Sequence, residues 1–153
     1  MPSEIERKFL VADDSWRDGS LGVRISQGYL SQDPERTVRV RIGGDSAWLT
    51  IKGRTQGITR AEFEYAIPVG EARELLALCL PAVIDKTRHR VSFGGHEWEI
   101  DVFHGDNDGL VIAEVELADE AISPELPPWI GDEVSADARY FNSCLAARPY
   151  ANW

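Results

Sequence analysis

The fold is decided by residues 36–53, which read RTVRVRIGGDSAWLTIKG. Apolar and polar side chains alternate on both sides of segment 43–46, whose Gly-Gly-Asp-Ser sequence supplies turn residues. Such a pattern is typical of two antiparallel strands joined as a hairpin. Along each strand the apolar side chains share one face, and Arg39, Arg41 and Lys52 share the other. The sequence therefore predicts a hairpin with one apolar face and one basic face.

The same two-residue alternation recurs along most of the chain. Segments rich in glycine, proline and aspartate separate the alternating runs, so most connections are predicted to be hairpins. Two helices are predicted in addition to the strands. One covers residues 71–80, with acidic residues early and Pro81 at its end, and the other covers residues 136–147, with Ser135 as its N-cap and a docked amphipathic face. The predicted strands cover residues 4–11, 23–31, 36–43, 47–53, 58–67, 84–93, 97–104 and 110–117.

One face of these strands is apolar and the other is charged, mostly with one sign of charge on each strand. Like charges two residues apart repel each other, so an exposed sheet gains nothing from them. They are explained if the strands close into a barrel whose charged face lines the interior. The sequence therefore predicts an α+β, mainly β fold, an eight-stranded antiparallel closed barrel (tunnel) with a charged lumen and a few helices packed outside. The charged positions are Glu4, Glu6, Lys8, Arg39, Arg41, Lys52, Arg60, Glu62, Glu64, Lys86, Arg88, Arg90, Glu97, Glu99, Asp101, Glu114 and Glu116.

A lumen that carries both acids and bases can hold a polyanion together with divalent cations. Arginine and lysine side chains bind phosphate oxygens, the former often through two parallel hydrogen bonds. Carboxylates bind magnesium or manganese, which in turn coordinates phosphate. All three lysines of the chain, against thirteen arginines, fall on the charged face. No Gly-x-x-x-x-Gly-Lys segment is present, which excludes a P-loop nucleotide fold.

Composition limits the classes of protein to consider. The 153 residues are 43% hydrophobic and 27% charged, which is typical of one globular domain, predicted to span residues 1–153. A net charge of −10 disfavours nucleic acid and anionic membranes as partners. We find neither a membrane-spanning apolar run nor the apolar core of a signal peptide, and we therefore expect a cytoplasmic protein. Cys79 and Cys144 lack metal-ligand spacing and are expected to be reduced.

The opening residues Glu4-Ile5-Glu6-Arg7-Lys8 resemble the Glu-x-Glu-x-Lys signature of the CYTH superfamily, also called triphosphate tunnel metalloenzymes. The tail over residues 129–142 is similar to that of the compact bacterial members. The resemblance covers essentially the whole chain and is greatest to the inorganic triphosphatase branch. The charged motifs that follow the signature in family order are Arg39-x-Arg41, Lys52, Glu62-x-Glu64, Lys86-x-Arg88, Asp101 and Glu114-x-Glu116.

This resemblance implies a metal-dependent hydrolase that cleaves inorganic triphosphate (tripolyphosphate) to pyrophosphate and phosphate, with Mg²⁺ or Mn²⁺ as cofactor. It puts forward Lys8 and Tyr29 as the catalytic pair that orients or deprotonates the attacking water. Neighbouring cations would lower the pKa of Lys8 and neighbouring carboxylates would raise it, and the sequence leaves the outcome open. The expected partner is a small molecule that contains a triphosphate, and the family is compatible with a homodimer.

Physical chemistry suggests roles for the remaining charged residues. Basic side chains would stabilise the leaving pyrophosphate, and acidic side chains would hold the metal ions. Three of the acids rank lower as metal ligands because they can instead orient neighbouring bases. The substrate-binding candidates are Arg39, Arg41, Lys52, Lys86 and Arg88. The metal-binding candidates are Glu4, Glu6, Glu114 and Glu116, followed by Glu62, Glu64 and Asp101.

Several alternatives remain open at the level of sequence. Thiamine triphosphatase, a broader nucleoside triphosphatase and class IV adenylyl cyclase belong to the same superfamily. A noncatalytic sensor of polyphosphate or nucleotide belongs to a different class of protein. Metal-dependent turnover separates an enzyme from a sensor, and a ranking of triphosphate substrates separates the enzymes from one another.

Overall fold

The computed structural model describes residues 2–80 and 83–153, and in it nine antiparallel strands form one sheet. Eight of them close into a barrel, in the order β1, β5, β4, β3, β2, β6, β7, β8 and back to β1. The predicted fold class is therefore confirmed. The strands are β1 (Ser3–Val11), β2 (Val23–Ser31), β3 (Thr37–Gly43), β4 (Ser46–Lys52), β5 (Thr59–Ile67), β6 (Ile84–Phe93), β7 (His96–Phe103), β8 (Val111–Glu116) and β9 (Ile130–Glu133).

Strand β1 closes the barrel by pairing on both edges. One edge pairs with β8 over residues 6–10, and the other pairs with β5 over residues 3–5. Beyond β5, the same edge pairs with β9 at Phe9 and Val11. Strand β9 was not predicted, because its four residues are too few to show an alternating pattern. It covers backbone groups of β1 that β5 leaves free.

The apolar face of the barrel points outward and is covered by helices and loops. One apolar cluster surrounds Trp98, which is completely buried, and a second surrounds Leu145 beneath the C-terminal segment. A third packs Val40 and Ala47 against Ala72 of helix α1 (Val69–Leu78). Burying a large apolar side chain contributes about 1.5–3 kcal/mol, so these clusters hold the barrel closed from outside. The lumen is thereby left to charged side chains.

Helix α1 begins two residues before its predicted start. Its N-cap is Pro68, whose φ of −61° suits the entry into a helix. The helix ends at Leu78, and the backbone N–H of Leu80 then donates to the carbonyl of Tyr29 at 2.9 Å. Pro81, which was predicted to end the helix, lies outside the described residues.

The predicted helix over residues 136–147 is wrong in its first half. A short 3₁₀ turn (Ala138–Tyr140) is followed by extended Phe141 and then by helix α2 (Asn142–Ala147). Lys8 Nζ donates to the carbonyl of Tyr140 at 3.1 Å, which favours a break in the helix at this point. Ser135 is not an N-cap, because its hydroxyl accepts from the backbone N–H of Lys8 at 2.9 Å and donates to a Glu133 carboxylate.

Neither α-helix in the described part of the chain has the length and apolar character needed to cross a bilayer.

Candidate active site

The barrel encloses a cavity of about 520 Å³ that is lined by side chains from all eight of its strands. Thirteen of the fourteen residues that the sequence marks for catalysis, substrate and metal line this cavity, and Asp101 is buried behind it. The alternation of strand residues thus gathers distant parts of the chain around one space. The thirteen residues are Glu4, Glu6, Lys8, Tyr29, Arg39, Arg41, Lys52, Glu62, Glu64, Lys86, Arg88, Glu114 and Glu116.

Four cations form one side of the cavity, which we call the basic wall: Arg39, Arg41, Lys86 and Arg88. Strands β3 and β6 carry these residues and flank β2 on its two edges. In the described residues, Arg41 has no carboxylate within 4.0 Å, and its Nε donates to Gln27 Oε1 at 2.9 Å. Burial, together with the nearby Arg39 and Arg88, lowers the pKa of Arg41 to about 9. Its positive charge therefore lacks a counter-ion of its own, which favours binding of an anion.

Asp101 is the buried counter-ion of the basic wall. Its carboxylate accepts two hydrogen bonds from Arg88, at 2.8 and 2.9 Å, and lies 2.8 Å from Lys86 Nζ. Burial opposes ionisation of Asp101, but Arg88 and Lys86 outweigh it and hold the pKa of this carboxyl far below its usual range. Both carboxylate oxygens are occupied by cations. Asp101 thus orients the neighbouring bases Lys86 and Arg88, which is the alternative to metal binding that the sequence left open for it.

Carboxylates meet at another part of the lumen, and we call Glu4, Glu6 and Glu116 the acidic cluster. Glu6 of β1 lies directly across from Glu116 of β8, and Glu4 precedes Glu6 on the same face. Burial and repulsion by Glu114 and Glu4 raise the pKa of Glu6 to about 8. Burial and Glu4 also raise the pKa of Glu116. Within residues 2–80 and 83–153, no three His, Cys, Asp or Glu side chains are already arranged as a metal site.

The remaining acids and bases of the lumen form ion pairs. Lys52 Nζ lies 2.6 Å from Glu4 and 3.3 Å from Glu62. Arg39 lies 3.5 Å from Glu64 and also donates to the hydroxyl of Thr50. In this arrangement Glu62 and Glu64 each orient a base, although both still face the cavity.

Lys8 is a buried cation whose neighbours favour the charged form. Burial lowers its pKa, but Glu114, Glu6 and Asp101 more than offset burial and raise the pKa above its ordinary value. Lys8 Nζ lies 3.4 Å from Glu114 and 5.5 Å from the centre of the Phe141 ring. The neighbouring carboxylates therefore determine the direction of the Lys8 pKa shift, which the sequence left open.

Tyr29 lies on the lumen wall, and its hydroxyl accepts a hydrogen bond from Gln27 Nε2 at 3.2 Å. Among the described residues, no hydrogen bond joins Tyr29 to Lys8. The two predicted catalytic residues thus share the cavity, each held by other hydrogen-bond partners.

Two residues that contact the candidate site residues did not stand out in the sequence, Gln27 and Asn142. Gln27 lies on the same strand face as Tyr29, two positions away, which is the signal that could have found it. Asn142 was assigned to a helix that docks outside the barrel, yet its side chain accepts hydrogen bonds from Lys86 at 2.9 Å and from Gln27 at 3.1 Å. Neutral amides do not show in a pattern of charges, so neither residue stood out.

Comparison with known proteins agrees with this geometry. The CYTH domain model matches residues 2–150. An inorganic triphosphatase of Acetivibrio thermocellus is 49% identical over 154 residues, which cover 100% of this chain and 99% of the relative. An inorganic triphosphatase of Nitrosomonas europaea is 37% identical over 149 residues, which cover 94% and 97%. The crystal structure of the inorganic triphosphatase NE1496 has 36% identity and a TM-score of 0.66, covering 95% of each chain. The resemblance noted in the sequence is thereby confirmed, and this chain belongs to the CYTH domain family.

Proposed function

We propose that this chain hydrolyses inorganic triphosphate to pyrophosphate and phosphate inside the tunnel, with a divalent cation as cofactor. One observation carries the proposal: a single cavity holds both a basic wall and an acidic cluster, in which Glu6 lies directly across from Glu116 and neither has an ion pair within the described residues. The similarity over the full chain to two inorganic triphosphatases supports it.

The basic wall suits the pyrophosphate portion of the substrate. A cavity of about 520 Å³ lies within the range of small-molecule sites, roughly 300–1,000 Å³. Both terminal nitrogens of Arg41 remain free of hydrogen bonds within the described residues, so they can bind phosphate oxygens. Each hydrogen bond to a charged group contributes about 1.5–3 kcal/mol. Negative charge that develops on the leaving pyrophosphate would therefore be stabilised by groups that are already in place.

The acidic cluster fits a hard divalent cation, and we propose Mg²⁺ or Mn²⁺. Triphosphate tunnel enzymes of this family are generally metal-dependent. Carboxylate oxygens are the preferred ligands of both ions, and burial and neighbouring carboxylates raise the pKa of Glu6, which has no ion pair within the described residues. Glu4, Glu6 and Glu116 would hold the metal, with Glu114 beside them. When bound, such an ion neutralises phosphate charge and activates water.

Lys8 is proposed to orient the attacking water and to stabilise negative charge. Its raised pKa keeps the amine protonated near neutral pH, so it donates hydrogen bonds and does not accept the proton of the water. Tyr29 is proposed to complete the catalytic pair from the adjoining wall, where Gln27 fixes its hydroxyl.

Phosphate release by the purified chain tests this function. We expect rapid release from inorganic triphosphate with Mg²⁺ or Mn²⁺, no release with a chelator, and much slower release from ATP and thiamine triphosphate. Faster turnover of either organic triphosphate would assign the chain to another activity of the superfamily. Binding of triphosphate without turnover would identify a sensor.

A further inference from the structure

Two neutral amides join the functional groups of the basic wall to one another. Gln27 is completely buried, and its Oε1 accepts a hydrogen bond from Arg41 Nε at 2.9 Å. Its Nε2 donates to Asn142 Oδ1 at 3.1 Å and to the Tyr29 hydroxyl at 3.2 Å. Asn142 Oδ1 also accepts from Lys86 Nζ at 2.9 Å. We call this arrangement the amide bridge (Gln27 and Asn142).

We propose that the amide bridge positions Arg41, Lys86 and Tyr29 for the substrate, and that it does so without neutralising Arg41. The proposal rests on the function proposed above and deepens it by naming two positioning residues. An amide oxygen fixes a guanidinium or an ammonium through a hydrogen bond, as a carboxylate does, but it carries no charge. A cation held in this way keeps its full attraction for a phosphate.

The contrast within the basic wall supports this role. Arg39, Lys86 and Arg88 each have a carboxylate within 4.0 Å, at Glu64 or Asp101. Among the residues that the structure describes, Arg41 is held by Gln27 alone, which occupies its Nε and leaves its terminal nitrogens for a ligand. A carboxylate at position 27 would have the same reach and would compete directly with the substrate.

The amide bridge also ties the lumen to the C-terminal segment. Asn142 is the first residue of α2, and Tyr140 binds Lys8 through its backbone carbonyl two residues earlier. Both contacts bring this segment against the same cavity. The position of the C-terminal segment and the geometry of the basic wall are therefore coupled.

Two substitutions at one position separate positioning from structural support. Gln27→Glu keeps the shape and adds a charge, whereas Gln27→Met keeps the approximate size and removes every hydrogen bond. We expect Gln27→Glu to raise the KM for triphosphate at least about tenfold, more than Gln27→Met does, because its carboxylate pairs with Arg41. We expect the opposite order for stability, since Gln27→Met leaves buried polar groups unpaired and lowers the melting temperature more.

Asn107→Asp is the matched control. Asn107 is a buried amide outside the cavity, and its Oδ1 accepts from the backbone N–H of Tyr150 at 2.8 Å. The substitution adds the same charge, so we expect an unchanged KM whatever happens to the melting temperature. If Gln27→Glu does not fold, Asn142→Asp makes the same test at the other end of the amide bridge, with KM raised several-fold.

Binding of triphosphate to the unmodified and substituted chains, measured by calorimetry with Mg²⁺, distinguishes the two proposals. Tight binding by the unmodified chain without hydrolysis would overturn the proposed function, whereas weaker binding by Gln27→Glu would still support the amide bridge. A KM or a dissociation constant of Gln27→Glu within twofold of the unmodified chain would overturn the amide bridge. Absence of triphosphate binding by the unmodified chain would overturn both.

Discussion

The basic wall and the acidic cluster each gather like charges, but the protein compensates them differently. The basic wall has a completely buried counter-ion, Asp101, and an amide bridge that fixes Arg41. In the acidic cluster, Glu4 is paired with Lys52, whereas Glu6 and Glu116 have no ion pair within the described residues. The difference indicates that the basic wall is organised before any ligand binds, and it fits the proposal that a cation completes the acidic cluster.

We expect the largest effect when the counter-ion of the basic wall is removed. Asp101→Asn leaves the buried Lys86 without a carboxylate among the described residues and takes from Arg88 its two shortest hydrogen bonds. Removing one partner of a buried ion pair costs about 3–5 kcal/mol. We expect the free energy of unfolding in urea to fall by that amount. Asp85→Asn, at an exposed pair with Arg24, is the control and should cost less than about 1 kcal/mol. Equal losses for both variants would show that Asp101 is not the counter-ion that organises the wall.

The acidic cluster should respond in the opposite way. Glu6→Gln removes a proposed metal ligand and relieves repulsion between carboxylates. We expect kcat to fall by a factor of about 10²–10³, which corresponds to a loss of several kcal/mol of transition-state stabilisation. The melting temperature without metal should stay equal or rise. Steady-state hydrolysis of triphosphate with Mg²⁺ and thermal unfolding with a chelator measure the two effects. Glu97→Gln, at an exposed pair with Arg90, should leave both unchanged. A marked fall in melting temperature with full activity would assign Glu6 to the fold.

Arg41 tests whether the basic wall binds substrate through a cation that has no counter-ion. We expect Arg41→Met to raise the KM for triphosphate by about 10- to 100-fold, the loss of one or two charged hydrogen bonds. Stability should fall by no more than about 1–3 kcal/mol, because the buried Gln27 Oε1 loses its donor. Arg24→Met provides a matched surface control. An unchanged KM would remove Arg41 from the substrate site.

The last expected effect is a dependence of stability on pH. Glu6 has a pKa near 4.5 when unfolded and about 8 in the folded chain, because burial and neighbouring carboxylates favour the protonated form. Its contribution to the free energy of unfolding is present below pH 4.5 and is lost as pH rises toward 8, by at most about 1.4 kcal/mol per pH unit. Without metal, the melting temperature of Glu6→Gln should therefore exceed that of the unmodified chain by a margin that grows from pH 5 to pH 8. A constant margin would contradict the raised pKa.

Alternation and charge predicted the barrel and its lumen because both are properties of single strands. A two-residue period assigns each side chain to a face, so twelve of the thirteen charged candidate residues could be placed in the cavity from the sequence alone. Tyr29 was put forward by the family resemblance. The four-residue strand β9 is too short to show a period.

The features that the sequence did not predict depend on contacts between distant residues. The break at Phe141 accompanies a hydrogen bond from Lys8 to Tyr140, 132 positions apart. The direction of the Lys8 pKa shift depends on its distance from Glu114, and the amide bridge depends on a packing of α2 that no local pattern encodes.

We propose that this tunnel uses a metal ion to split inorganic triphosphate, and ³¹P NMR of the reaction mixture follows that conversion. We predict that with Mg²⁺ each triphosphate is converted to one pyrophosphate and one phosphate, and that a chelator stops the conversion. Triphosphate that stays intact with Mg²⁺, or conversion that proceeds equally in the chelator, would contradict metal-dependent hydrolysis.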